Sequence, residues 1–200
     1  MKLLRLLAIV MTIGVAVGFT GCDDDDDGVV YNDDYILLGM NQAVKVLAGG
    51  ECYSNLTLND EERNDTTFTL DMSLYQNRVA DMSATVDLVI AEDSLMSAID
   101  LAQDEANGNK YQKYKNARLL PASYYQLSGN QMTLDVGQVV SSSISLTVHY
   151  SMLLDDPLRN ADEELVYVLP LQIRNSSSYE INSAVNTWML MFTVPVLEGE

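Results

Sequence analysis

Two hundred residues, 48% of them hydrophobic, suffice for one domain whose core needs no disulfide staples. The formal charge is −18, and beyond residue 21 nine basic residues face 29 acidic ones. Such a surface repels phosphate backbones, which excludes a nucleic-acid binder.

The first residues read as an address. Met1 to Arg5 supply two positive charges, and Leu6 to Phe19 form an apolar run of 14 residues broken only by Thr12 and glycines. This is the anatomy of a signal peptide over 1–21, too short for a transmembrane span of about 20 residues. The junction Phe19-Thr20-Gly21-Cys22 resembles the lipobox of bacterial lipoproteins. That resemblance implies a lipid on Cys22, which becomes the new amino terminus, and several acyl chains give lasting membrane attachment where one gives only marginal binding. With Cys22 so engaged, Cys52 is expected to be a free thiol, a small and largely buried hydrophobe.

Asp23, Asp24, Asp25, Asp26 and Asp27 follow directly, and 22–34 is expected to be a lipid anchor and acidic tether. Like charges in a row repel one another, so the segment is a solvated spacer in any case. After an enterobacterial cysteine an aspartate resembles a retention signal for the inner membrane, whereas in Bacteroidetes an acidic run resembles an export signal to the outer surface. Calcium capture is disfavoured, because consecutive aspartates without a fixed loop make a poor cage.

From Val29 the pattern becomes one of short alternating segments. Tyr35–Leu38, Gln42–Leu47 and Thr67–Leu74 predict early strands, the last with Phe68, Leu70, Met72 and Leu74 on one face. Asn59 to Asp65, with four acids and Arg63, predicts an exposed loop. Ala84–Ala91, Gln131–Val136, Ser143–Tyr150, Val166–Ile173 and Thr187–Val194 complete the strand set, with Met132, Leu134 and Val136 facing inward. One segment has helical period instead: Leu95, Ala98, Ile99 and Ala102 share a face, Asp93 or Ser94 can cap the start, and Asn107-Gly108 offers a stop. The fold class expected is mainly β, an antiparallel immunoglobulin-like sandwich of about seven strands over 35–196 with one inserted α-helix near 93–107.

Several of these stretches together carry a family resemblance. Val86–Ile90 running into Glu92–Leu95, the helix ending Ala106-Asn-Gly, Leu119–Tyr125, Met132–Val136 and Tyr167–Ile173 resemble, in order and spacing, domain of unknown function 1735. The likeness covers roughly Tyr35 to Phe192. It implies a Bacteroidetes surface lipoprotein with an immunoglobulin-like sandwich, of a kind that also precedes endo-β-N-acetylglucosaminidase-like glycosidase modules and is often encoded beside outer-membrane glycan-uptake systems. No hydrolase module follows within the 200 residues, so the activity of longer relatives is not expected here. The family's short connection between Asn-Gly and Leu-Leu-Pro is replaced by a longer charged one, Asn109 to Arg118.

That connection holds Lys110, Tyr111, Lys113, Tyr114, Lys115 and Arg118, four of the nine basic residues beyond residue 21. A tyrosine ring can stack on the apolar face of a sugar, and lysines can donate to hydroxyls or pair with uronate or sulfate groups. The competing reading folds the tyrosines back onto the sandwich and pairs the lysines with acids such as Asp104 and Glu105. Tyr124, Tyr125 and Trp188 are read as core. His149 is the single histidine, so no His-based triad or His-rich metal site can be assembled. Asp155-Asp156 and Asp162–Glu164 around Pro157–Asn160 read as a solvated turn, and Asp65-Thr66-Thr67 resembles an O-glycosylation site of exported Bacteroidetes proteins.

The expectation is a non-catalytic accessory protein held by its lipid at the outer-membrane surface, or facing the periplasm. It needs no cofactor or metal, and its partners are carbohydrate or outer-membrane uptake proteins. A structural or adhesive subunit binding protein is the second reading, a small glycoside hydrolase the third.

Overall fold

The computed structural model describes residues 36–46, 52–160 and 162–197, all within a unit from Asn32 to Glu200. Cys22, the five aspartates and the signal peptide lie outside the described residues. In chain order the elements are β1 (Leu37–Met40), α1 (Asn41–Val46), β2 (Tyr53–Thr57), β3 (Thr66–Leu70), β4 (Met72–Leu74), β5 (Ala84–Ile90) and α2 (Glu92–Gln103). There follow β6 (Ala117–Leu119), β7 (Tyr125–Leu127), β8 (Gln131–Leu134), β9 (Ile144–Val148), α3 (Tyr150–Leu154), β10 (Leu165–Arg174), β11 (Glu180–Ile181) and β12 (Thr187–Val194).

A six-stranded sheet runs β2-β12-β10-β5-β8, with β6 also on β10, and packs against two three-stranded sheets, β3-β9-β7 and β11-β1-β4. Edge-to-face ring pairs stitch the layers: Phe68 with Trp188, Tyr124 with Tyr167 and Tyr150 with Phe192, each with centroids 6.1 Å apart. The sandwich with an inserted helix is thus as the alternation predicts, and Trp188 is core. Strand number and direction differ in detail. Twelve strands occur among the described residues rather than about seven, several only two or three residues long, and β1–β11, β6–β10 and β2–β12 pair in parallel.

The long strands β10 and β12 explain why a helix was inserted. On β10, Tyr167, Leu169, Leu171 and Ile173 enter the main core, while Val168 and the half-buried Val166 face the other way. On β12, Trp188, Leu190, Phe192 and Val194 point inward, and Met189 and Met191 outward. Both faces are apolar, so the outer one must be covered. α2 covers it with Leu95, Ala98 and Ala102, and Tyr114 and Ala117 complete this second core.

Pro170 sits in the middle of β10 without breaking it. Its carbonyl accepts Ala91 N–H at 2.8 Å, so its missing N–H faces the same side. On that side β10 changes neighbour, from β6 at Val166–Val168 to β5 at Leu171–Arg174, and no ladder bond is lost.

Three local expectations are corrected. Gln42–Leu47 is not a strand, because 41–46 is helical, with only Ala43 buried. The Asn41 amide N–H donates to Asp71 O at 3.1 Å, and Gln42 Nε2 to Thr69 O at 2.6 Å, which ties the turn of helix to the β3–β4 corner. Val136 is 62% exposed rather than inward. β8 ends at Leu134, and Gly137, at φ +82°, turns the chain so that its N–H donates to Ala80 O at 2.8 Å. Finally, α2 begins after Ala91 without a side-chain cap and ends at Gln103, short of Asn107-Gly108.

Candidate functional site

The last turn of α2 leaves carbonyls without helical partners, and side chains of the following connection satisfy them. Asn107 Nδ2 donates to Leu101 O at 3.0 Å and Gln112 Nε2 to Ala102 O at 3.1 Å. Asp104 accepts Ala106 N–H at 2.9 Å and starts a 3-10 turn over Glu105–Lys110, followed by another over Gln112–Tyr114. The charged connection is therefore folded back along α2, with the Tyr114 ring buried in the second core.

This fold-back opens a cleft of about 580 Å³. One wall is α2, through Ser94, Ser97, Ala98 and Leu101; the second is Lys110, Tyr111 and Tyr114. The floor is Cys52 and Met189, and the rim is Ser183, Ala184, Asn186 and Thr187. Hydroxyls, an amide and two phenol rings surround it, with Lys110 and Asp93 as its charged members. Asp93 is held by Arg174 Nη2 at 3.3 Å. Burial pushes the Tyr114 phenol up to about 12, so at neutral pH it is an uncharged donor. The Cys52 thiol, half-buried at the floor, donates to Ala184 O at 3.2 Å, and burial raises its pKa.

The six residues singled out from the sequence part company. Lys110, Tyr111 and Tyr114 line the cleft. Lys113 turns behind it, its ammonium 3.9 Å from the centre of the Tyr53 ring, and burial lowers its pKa. Lys115 is exposed outside the cleft. Arg118 projects from β6 into a second, more polar cleft of about 450 Å³ with Asn116, Asn160, Glu163 and Glu164. Of the two tyrosines, Tyr114 folds onto the sandwich as the competing reading has it, and Tyr111 is half-exposed at the opening. Ser94, Ser97, Asn186 and Thr187 carried no signal of their own, since nothing in a single sequence brings 94–97 beside 186–187.

The acidic turn around Pro157 is exposed at Asp155, Asp162, Glu163 and Glu164, as the sequence predicts, but Asp156 and Arg159 are buried, which corrects the expectation at those two residues. Asp156 is buried and accepts the hydroxyls of Tyr124 and Tyr167 and the Leu158 amide, each at 2.7 Å. Burial acts to raise its pKa, but these donors and the Arg118 charge outweigh it and hold the carboxyl below its ordinary value. Arg159, also buried, pairs with both oxygens of Asp60 at 2.7 Å and donates to the carbonyls of Leu154, Pro195 and Val196. Asp87, on β5, accepts the amides of Gln131 and Asn175 at 2.9 Å. His149 meets Asp65 at 2.9 Å.

Residues 42–180, well over half of the chain, match a family described only as an N-terminal domain ("-like, N-terminal domain"). The chain belongs to this family. The matched stretch lies inside the span of the sequence resemblance, which also pointed to a domain standing before glycosidase modules. Among curated proteins none matches the chain. In fold the family member is similar to a candidate carbohydrate-binding protein of Bacteroides ovatus, at 21% identity and TM-score 0.54 over 80% of this chain and 37% of that one. It is similar also to EndoBT-3987 of Bacteroides thetaiotamicron, solved with a Man5GlcNAc product, at 11% identity and TM-score 0.51 over 78% and 30%. A multidomain protein including DUF1735 from Bacteroides ovatus aligns at 13% identity and TM-score 0.45 over 71% and 40%. The chain therefore spans under half of each of these proteins, and the likeness to the first two is one of fold.

Proposed function

We propose that the protein is a non-catalytic glycan-binding domain, carried on the cell surface by a lipid on Cys22 and serving a glycan-uptake complex. The observation that carries the binding reading is the cleft beside α2, where the Tyr111 ring, Lys110 and the side chains of Ser94, Ser97, Asn186 and Thr187 converge on one concave space. Sugars present hydroxyls at their edges and apolar C–H faces, and amides, hydroxyls and a half-exposed ring answer both. The naming of one fold relative as a candidate carbohydrate binder, and of another as an enzyme holding a glycan product, supports the same reading. A non-catalytic role is favoured because Asp93, the one carboxylate of the cleft among the described residues, already engages Arg174, while glycoside hydrolysis calls for two facing carboxyl groups about 5 to 10 Å apart.

The lipid anchor rests on the sequence of 1–27, whose lipobox-like junction ends at Cys22. Screening the full chain against host and plant glycans tests the binding reading. Selective binding of a glycan class, weakened by Tyr111→Ala, is expected; silence across the whole panel refutes it.

A further inference from the structure

The glycan-binding reading of the cleft leaves open which sugars it prefers, and the following inference rests on that reading. In a chain where acids outnumber bases three to one beyond residue 21, the described lining of this one cleft holds one of each, Asp93 and Lys110. Among the described residues its only lining carboxylate, Asp93, is held by the Arg174 guanidinium through both oxygens at 3.3 Å. Its only lining ammonium, Lys110, is exposed and lies 5.6 Å from the Tyr111 ring centre, and no ion pair to it occurs among the described residues.

A ligand that fills the cleft strips water from Lys110. Hydroxyls of a neutral sugar return only ordinary hydrogen bonds for that loss. A carboxylate or sulfate returns a charge-assisted one, roughly twice as strong. Ser94, Ser97, Asn186 and Thr187 already provide what neutral hydroxyls need, so an exposed ammonium among them adds most for an anion. The negative body does not oppose this at contact range, because beyond about 8 Å physiological salt screens it.

We propose that the cleft takes an acidic saccharide, a glycan whose sugar bears a carboxylate or a sulfate, with Lys110 meeting the anion and Tyr111 lying along the ring's apolar face.

Two matched pairs of probes separate this from neutral-sugar binding: a galacturonic-acid tetrasaccharide against its carboxyl-reduced form, and a sulfated galactan oligosaccharide against its desulfated form. Titration calorimetry on the full chain is expected to show the acidic member of at least one pair binding about tenfold more tightly or better. Lys110→Gln should erase that preference, and Lys115→Gln, exposed on the same connection but outside the cleft, should leave it intact; thermal melting verifies that both variants are folded. The inference is overturned if acidic and neutral members bind alike, if neither acidic probe binds while a neutral glycan does, if Lys110→Gln keeps the preference, or if Lys115→Gln abolishes it equally. In each of those cases glycan binding itself still stands. Absence of binding to any glycan, acidic or neutral, removes the glycan reading and this inference with it.

Discussion

Asp156 and Arg159 show what residue identity can conceal. Both stand in a stretch whose composition, two aspartates before a proline and three more acids after it, belongs to water. The fold instead buries them, because Asp156 gathers two tyrosine hydroxyls and Arg159 ties Asp60 to the carbonyls where β12 ends. Asp156→Ala leaves both hydroxyls without their acceptor, and we expect it to lower unfolding free energy by about 2–4 kcal/mol in urea denaturation. A lysine at 159 presents one compact ammonium in place of a planar fork, so Arg159→Lys is expected to melt at a lower temperature than the native protein. The same residues set the acid limit. Asp60, through its hydrogen bond from Arg159, Asp87, through those from Asn175 and Gln131, and Asp156 are all held below the ordinary carboxylate range. A carboxyl depressed in the fold stabilises it fully above the unfolded value of about 4, and this stabilisation is lost as pH falls through the lowered values. Stability measured against pH should therefore be flat above about pH 5 and fall steeply below about 4. A decline beginning near pH 6 would contradict this assignment.

Among the elements, α2 was legible and its ends were not. Leu95, Ala98 and Ala102 recur at a period that only a helix places on one face, and all three are buried. Its end at Gln103 is set by Asn107 and Gln112 reaching back to carbonyls, a tertiary arrangement that no stop signal announces. Gln42–Leu47 failed for the opposite reason: in six residues Ala-Val-Lys-Val alternates well enough for a strand, and period two cannot be told from 3.6 over so short a window. Val136 continued the β8 alternation on paper, but the turn at Gly137 had already removed it from the ladder. The strands β10 and β12 bury apolar side chains on both faces, and α2 covers the outer one. Leu95→Ala should cost about 2–4 kcal/mol in the second core, whereas Met96→Ala, one residue on and 56% exposed, should change stability by less than about 0.5 kcal/mol. Comparable losses in the two variants would mean that α2 does not seal the sheet as described.

For the molecule as a whole, the double-sided sheet seats α2, and the connection that folds back along α2 opens the cleft. The sequence marked Lys110 and Tyr111 because a cluster of cations stands out in an acidic chain; their neighbours on α2 and before β12 became visible only when the backbone was folded. The proposed lipid anchor is separable from the binding site: Cys22→Ser is expected to release the protein from the membrane fraction while glycan binding persists, and continued membrane association would refute acylation at that residue. The most direct test of the binding site is an amide chemical-shift map of this 22.1 kDa chain during titration with a glycan that it binds. Shifts concentrated at Ser94, Ser97, Lys110, Tyr111, Asn186 and Thr187 are the result predicted, and shifts confined to another face, such as Arg118, Asn160 and Glu163, would contradict it.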